Sequence, residues 1–161
     1  MKIAKIKKTV KEKTFDLNIK DNHNYFVGES EILVHNSGKD SSKVDRSAAY
    51  LARYIAKNVV AAGIAKQCKV EIAYMIGVAE PASLSVDTFG ATDDKKLSQM
   101  VRTIFPMTPS QIIKHFDLTK PIFHDTAKNG HFGNDHLPWE KLDKVSDLKN
   151  MQLEKFMVKS Q

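Results

Sequence analysis

From Val44 onward, apolar side chains recur at Val44, Ala48, Leu51, Ile55, Val59 and Ala62. These are the three- and four-residue steps that line one face of an α-helix. A helix with such a stripe needs a sheet or a partner surface beneath it. Burying Leu51, Ile55 and Val59 contributes on the order of 1.5 to 3 kcal/mol each. Ser42 is the expected cap, accepting a hydrogen bond from an N–H of the first turn, with Asp45 facing back toward it, and Gly63 supplies the stop.

The chain on either side completes the class. Two strand-like runs follow at residues 69–78 and 83–89, broken at Glu80-Pro81, then helices at 94–104 and 109–116, the second started by Thr108 and Pro109. Residues 146–158 carry a weaker helical pattern and read as a loosely docked tail. Before the stripe the character differs. Short β-branched and alternating runs at 2–6, 14–19, 25–27 and 32–34 are separated by turn signals at Asp21-Asn22 and Gly28-Glu29-Ser30. The expectation is an α+β chain: a small all-β segment over residues 1–36, then a two-layer α/β domain fragment over 37–161.

With 42% hydrophobic and 27% charged residues the chain is globular rather than disordered. The longest apolar stretch, around Val59 to Ala65, is far too short to span a bilayer. Residues 1–13 are basic without the apolar run of a signal peptide, so the expected location is the cytoplasm. Cys68 is the single cysteine; it opens a strand-like run and reads as a buried small apolar residue. The net charge of +6 is spread over both segments, with no run of basic and aromatic residues to track a nucleic-acid backbone. Neither a nucleic-acid nor a membrane partner is expected.

His35-Asn36-Ser37 carries one kind of chemistry. An asparagine can attack its own backbone carbonyl through its side-chain nitrogen, closing a succinimide and breaking the next peptide bond. An adjacent imidazole suits the task of polarising the carbonyl or protonating the departing amine. A serine hydroxyl after the break can serve as acyl acceptor. The runs Thr14-Phe15-Asp16-Leu17-Asn18-Ile19, His23-Asn24-Tyr25-Phe26-Val27 and Ile32-Leu33-Val34-His35-Asn36 resemble the two C-terminal sequence blocks of inteins, self-splicing elements of the Hint fold. The resemblance covers residues 1–36, about the size of the C-terminal piece of a split intein. It implies that Asn36 cyclises, His35 assists, Ser37 is the first extein nucleophile, and His23 helps proton traffic. Asp16 matches an aspartate of the same block, with a less defined part.

A second kind of chemistry begins immediately after. Ser37-Gly38-Lys39-Asp40-Ser41-Ser42-Lys43-Val44-Asp45-Arg46 places a glycine, two lysines and acidic residues at the start of the helix. Helix N-termini favour phosphate, lysines add charge-assisted hydrogen bonds, and Asp45 can hold a hard divalent cation directly or through water. A capped helix with scattered lysines gives the same pattern. The run Gly38 to Tyr50, then Ile76-Gly77-Val78-Ala79-Glu80-Pro81, then Gly130-His131-Phe132-Gly133 and Pro138-Trp139-Glu140-Lys141 are similar to the C-terminal part of S-adenosylmethionine synthetase, from Ser37 to about Asp147.

That resemblance implies transfer of the adenosyl group of ATP to the sulfur of L-methionine, followed by triphosphate hydrolysis, with Mg2+ and K+ at a dimer interface. It implies ATP phosphate contact for Lys39, a place on the methionine and phosphate side for Lys43, and Mg2+ for Asp45; Arg46 organises the helix start. Ser41 replaces the family's usual proline, Asn134-Asp135 stands where an Arg-Glu pair is common, Thr108-Pro109-Ser110 also departs, and residues 151–161 match nothing in the family. The spacings of His115, His124, His131 and His136 are not those of paired metal ligands. His131, His136 and Trp139 read as a packed turn whose ring nitrogens satisfy backbone groups.

Ser37 belongs to both patterns. The expected function is therefore the C-terminal precursor of a trans-spliced S-adenosylmethionine synthetase, with a separate chain supplying the N-terminal intein half and the earlier enzyme residues. The ligated enzyme is expected as a homodimer or dimer of dimers, and the isolated chain as inactive. Two alternatives stand beside this: a synthetase fragment with an inert intein remnant, and a non-catalytic basic binding module.

Overall fold

The computed structural model describes residues 24–27, 32–35, 40–123, 126 and 130–157. It divides into two compact units, residues 1–38 and 39–161. Of the first unit, an antiparallel hairpin is described: β1 (Asn24–Val27) pairs with β2 (Ile32–His35), Asn24 opposite His35 and Val27 opposite Ile32. The expected runs at 2–6 and 14–19 lie outside the described residues.

The second unit is built on α1 (Val44–Ala61). One flank of the helix packs on β3 (Lys69–Ala73), which pairs antiparallel with β4 (Ser83–Asp87). Val70 stands opposite Val86 and Ile72 opposite Leu84, so alternation puts these four toward the helices and Lys69, Glu71 and Ser85 toward solvent. The α2 helix (Asp94–Ile104) packs on β4, while α3 (Pro109–Phe116), the 3-10 turn Pro138–Glu140 and α4 (Val145–Met157) close around α1. Leu51, Tyr54, Ile55, Val59, Val101, Ile112 and Trp139 form the fully buried centre.

Helices α2 and α3 start where their sequences indicate. The Asp93 carboxylate accepts the Lys96 N–H, and Thr108 forms a capping box with Gln111 ahead of Pro109. Four expectations are corrected. Ser42 does not cap α1: the helix begins at Val44, so the N-cap is Lys43, without a side-chain bond, and Ser42 lies in the turn before it, its N–H donating to Asp40 Oδ1 at 2.7 Å. The buried face of α1 is also wider than the apolar stripe, since elements pack on both flanks; Ser47, Tyr50, Tyr54 and Asn58 are buried, whereas Val44 and Ala48 are half-buried.

The strands, too, are shorter than expected. β3 ends at Ala73 because Val78 N–H returns to the Met75 carbonyl around Gly77, whose φ of 84° suits glycine. β4 ends at Asp87, whose carboxylate accepts the Phe89 N–H while Phe89 sits at a left-handed φ of 56°. Finally, α4 is anchored where it begins, with Leu148 fully buried in the core. The expected stop at Gly63 holds: its φ of 76° follows the last turn of α1.

Candidate functional site

The start of α1 presents Lys43 and Asp45, both exposed, at the positive end of the helix macrodipole. Two hydrogen bonds shape the approach to it: Ser42 N–H to Asp40 Oδ1, and Lys43 N–H to the Asp40 carbonyl at 2.9 Å. The Asp40 carboxyl lies below its ordinary range because Ser42 donates to it, with Lys43 and Arg46 adding positive potential. Ser41 turns inward instead, and its buried hydroxyl donates to the Leu118 carbonyl at 2.7 Å.

Beside this helix start lies a groove of about 420 Å³. Asp45 lines it together with Ala48, Ala49 and Ala52 of α1, and Val70, Ile72 and Tyr74 form the opposite wall. Three alanines within about one helical turn leave the space that larger side chains would fill. The far wall is held by Tyr74, whose hydroxyl donates to the Met107 carbonyl at 2.6 Å; burial, chiefly, pushes that phenol up to about 12. An apolar slot with a carboxylate and a lysine-bearing helix tip at its rim can take a ligand with a flat or apolar body and an anionic end.

The helix tip is tied to a distant part of the chain. Arg46 Nε donates to the Tyr50 hydroxyl at 2.9 Å and its guanidinium lies 4.3 Å from the Phe123 ring centroid. Tyr50 stacks on Trp139 at 3.7 Å, and its hydroxyl is 3.0 Å from His131 Nδ1. Burial, then Arg46, lowers the His131 pKa, which favours the neutral ring as acceptor from Tyr50. The His131 ring therefore meets a side chain, correcting the expectation of a backbone partner; its carbonyl receives Trp139 Nε1–H at 2.7 Å.

One turn further along α1, Arg53 grips Glu140 through two bonds of 3.0 Å, Lys57 adds one of 2.8 Å and Gly133 N–H another of 3.0 Å. Burial works against ionisation of Glu140, yet the two cations and the amide overcome it and hold the carboxyl at about 2. Neither anchor is visible as a motif, because each joins residues some eighty positions apart. Among the described residues no three or more His, Cys, Asp or Glu side chains converge on a metal position. No described helix is long and apolar enough to cross a membrane.

Of the expected site residues, the structure therefore places Lys43 and Asp45 together at the helix tip. His35 is the last residue of β2. Asp16, His23, Asn36, Ser37 and Lys39 lie outside the described residues.

The described unit is an α+β domain with an apolar groove beside the first turn of α1, and comparison gives its family. Residues 28–141 match the family model described as S-adenosylmethionine synthetase, C-terminal domain. The chain is 58% identical over 118 residues to S-adenosylmethionine synthase from two strains of Staphylococcus epidermidis, ATCC 35984 and ATCC 12228, covering 71% of this chain and 30% of each relative. A solved structure, an unusual S-adenosylmethionine synthetase from Campylobacter jejuni, superposes with a TM-score of 0.68 at 45% identity, over 71% of this chain and 31% of that one. The chain belongs to the S-adenosylmethionine synthetase C-terminal domain family, and it spans under a third of the length of these relatives. The family match begins before the expected boundary at Asn36, taking in residues 28–36.

Proposed function

We propose that this chain provides the C-terminal portion of a methionine adenosyltransferase, converting ATP, L-methionine and water to S-adenosylmethionine, phosphate and diphosphate. Family membership supports the reaction class, and the observation that carries the residue assignment is the helix tip with Lys43 and Asp45 beside the alanine-lined groove. Lys39 and Lys43 neutralise the triphosphate as it becomes the leaving group, a role that strengthens as charge develops on the oxygen that leaves C5′. The attacking group is the methionine sulfur, and the groove walls exclude water from it.

Mg2+ supplies charge neutralisation on the phosphates when bound. Such an ion is commonly held by one or two carboxylates together with substrate phosphates, and a single exposed carboxylate in the first turn of α1 fits that pattern. K+ enters through family resemblance alone, as does assembly into a homodimer or dimer of dimers after ligation.

The leading segment is, in this reading, the C-terminal half of a split intein. Asn36 cyclises with help from His35, Ser37 accepts the acyl group, and His23 assists proton traffic, with Asp16 an aspartate of the same block. The sequence blocks support this, as does a hairpin whose second strand ends at His35, directly before Asn36. The rival is an inert leading segment, favoured by a family match that reaches back to residue 28. Mixing the chain with a partner carrying the N-terminal intein half and N-terminal enzyme residues decides between them. The expected result is a ligated product by mass with S-adenosylmethionine formation; active enzyme that retains Met1 establishes the rival.

A further inference from the structure

We infer that Ser41 is a positioning residue for the helix tip, its buried hydroxyl holding the loop before α1 by a tertiary hydrogen bond to the Leu118 carbonyl. The inference rests on the synthetase reading of Lys43 and Asp45. Helix α1 begins without a side-chain cap, so its first turn is not fixed from within. What fixes the approach is the Asp40 turn and, next to it, the Ser41 hydroxyl donating to the Leu118 carbonyl at 2.7 Å. Ser41 is only 7% exposed and Leu118 1%, so water competes poorly for this bond.

The acceptor is itself rigidly held. Leu118 follows Asp117, the left-handed C-cap of α3, and its N–H returns to the Ile113 carbonyl at 3.0 Å. The bond thus ties the segment carrying the phosphate-facing lysine to a closed helix end 77 positions away. Proline restricts a loop through its locked φ, whereas serine leaves φ free and restrains the loop through a tertiary contact. The two devices limit the same motion by different means.

Two variants compared with the unsubstituted protein test this: Ser41→Ala, which removes the hydroxyl, and Ser41→Pro, which supplies the ring instead. In the full chain, amide exchange at Ser42 and Lys43 is expected to quicken in Ser41→Ala by about 3- to 10-fold, the worth of a buried hydrogen bond, and to return toward the original rate in Ser41→Pro. In the ligated enzyme, Ser41→Ala is expected to raise the KM for ATP by a similar factor, again with rescue by proline. Unchanged exchange in Ser41→Ala overturns the inference, as does a loss of activity that proline fails to rescue. If the unsubstituted ligated protein makes no S-adenosylmethionine, the synthetase reading falls, and the exchange measurement alone decides whether Ser41 anchors the loop.

Discussion

Asp45 and Lys43 are separated by one residue, yet their expected contributions differ. Asp45→Asn keeps the size and loses the charge, so in ligated enzyme it is expected to raise the Mg2+ concentration needed for half-maximal rate. Lys43→Ala is expected to lower kcat by on the order of 100-fold or more, as removal of a group facing developing charge does. Steady-state kinetics across a Mg2+ series separates the two, and equal behaviour of both variants would count against the assignment. Cys68 behaves differently from either. It is half-buried rather than fully buried, and burial, with Asp94 and Asp87 nearby, pushes its thiol up to about 11. Alkylation by iodoacetamide near pH 8 is therefore expected to run on the order of 100-fold slower than for an ordinary cysteine, because the thiolate is the reactive form.

Helix α1 carries most of the tertiary information. Its buried Asn58 donates to the Tyr54 and Lys141 carbonyls and accepts the Lys144 N–H, joining the helix to the turn before α4. Asn58→Ala leaves those backbone groups without partners and is expected to cost about 1 to 3 kcal/mol in urea unfolding. Glu140→Gln removes the charge that Arg53 and Lys57 enclose. Both cations retain some solvent contact, which reduces the penalty to about 2 to 3 kcal/mol from the cost of breaking a fully buried pair.

The same carboxylate sets a pH dependence. Its pKa falls from an ordinary 4.5 to about 2 on folding, so its stabilising contribution is complete above about 4.5 and is lost as pH falls through about 2. Unfolding measured at pH 5.5 and at pH 2.5 is expected to show that loss, and the Glu140→Gln protein is expected to show less of it. The periodic signals gave α1, α2 and α3 nearly whole, because caps and apolar stripes are local. Strand ends escaped them: they depend on where Gly77 and Phe89 take left-handed backbone, which apolar alternation does not encode.

At the scale of the molecule, the chain represents under a third of the length of its relatives and divides into two units, residues 1–38 and 39–161. On the proposed reading of residues 1–36 as an intein segment, Asn36→Ala is expected to block release of the C-terminal segment while association with the complementary half persists, readable by co-purification and intact mass. Release from Asn36→Ala at the original rate would remove asparagine cyclisation from the account.

Sequence by itself determined the α+β character, the helices beginning at Asp94 and, after Thr108, at Pro109, the lysine and aspartate at the tip of α1, and family membership, since each rests on residues close together in the chain or on an ordered set of motifs. Tertiary structure decided which face of α1 is buried, that Ser41 reaches Leu118, that Tyr50 stacks on Trp139 beside His131, and that Glu140 is enclosed by Arg53 and Lys57. Those contacts join residues some eighty positions apart; they exist only once chain collapse has brought their partners within hydrogen-bonding or van der Waals reach, and no local pattern carries that distance.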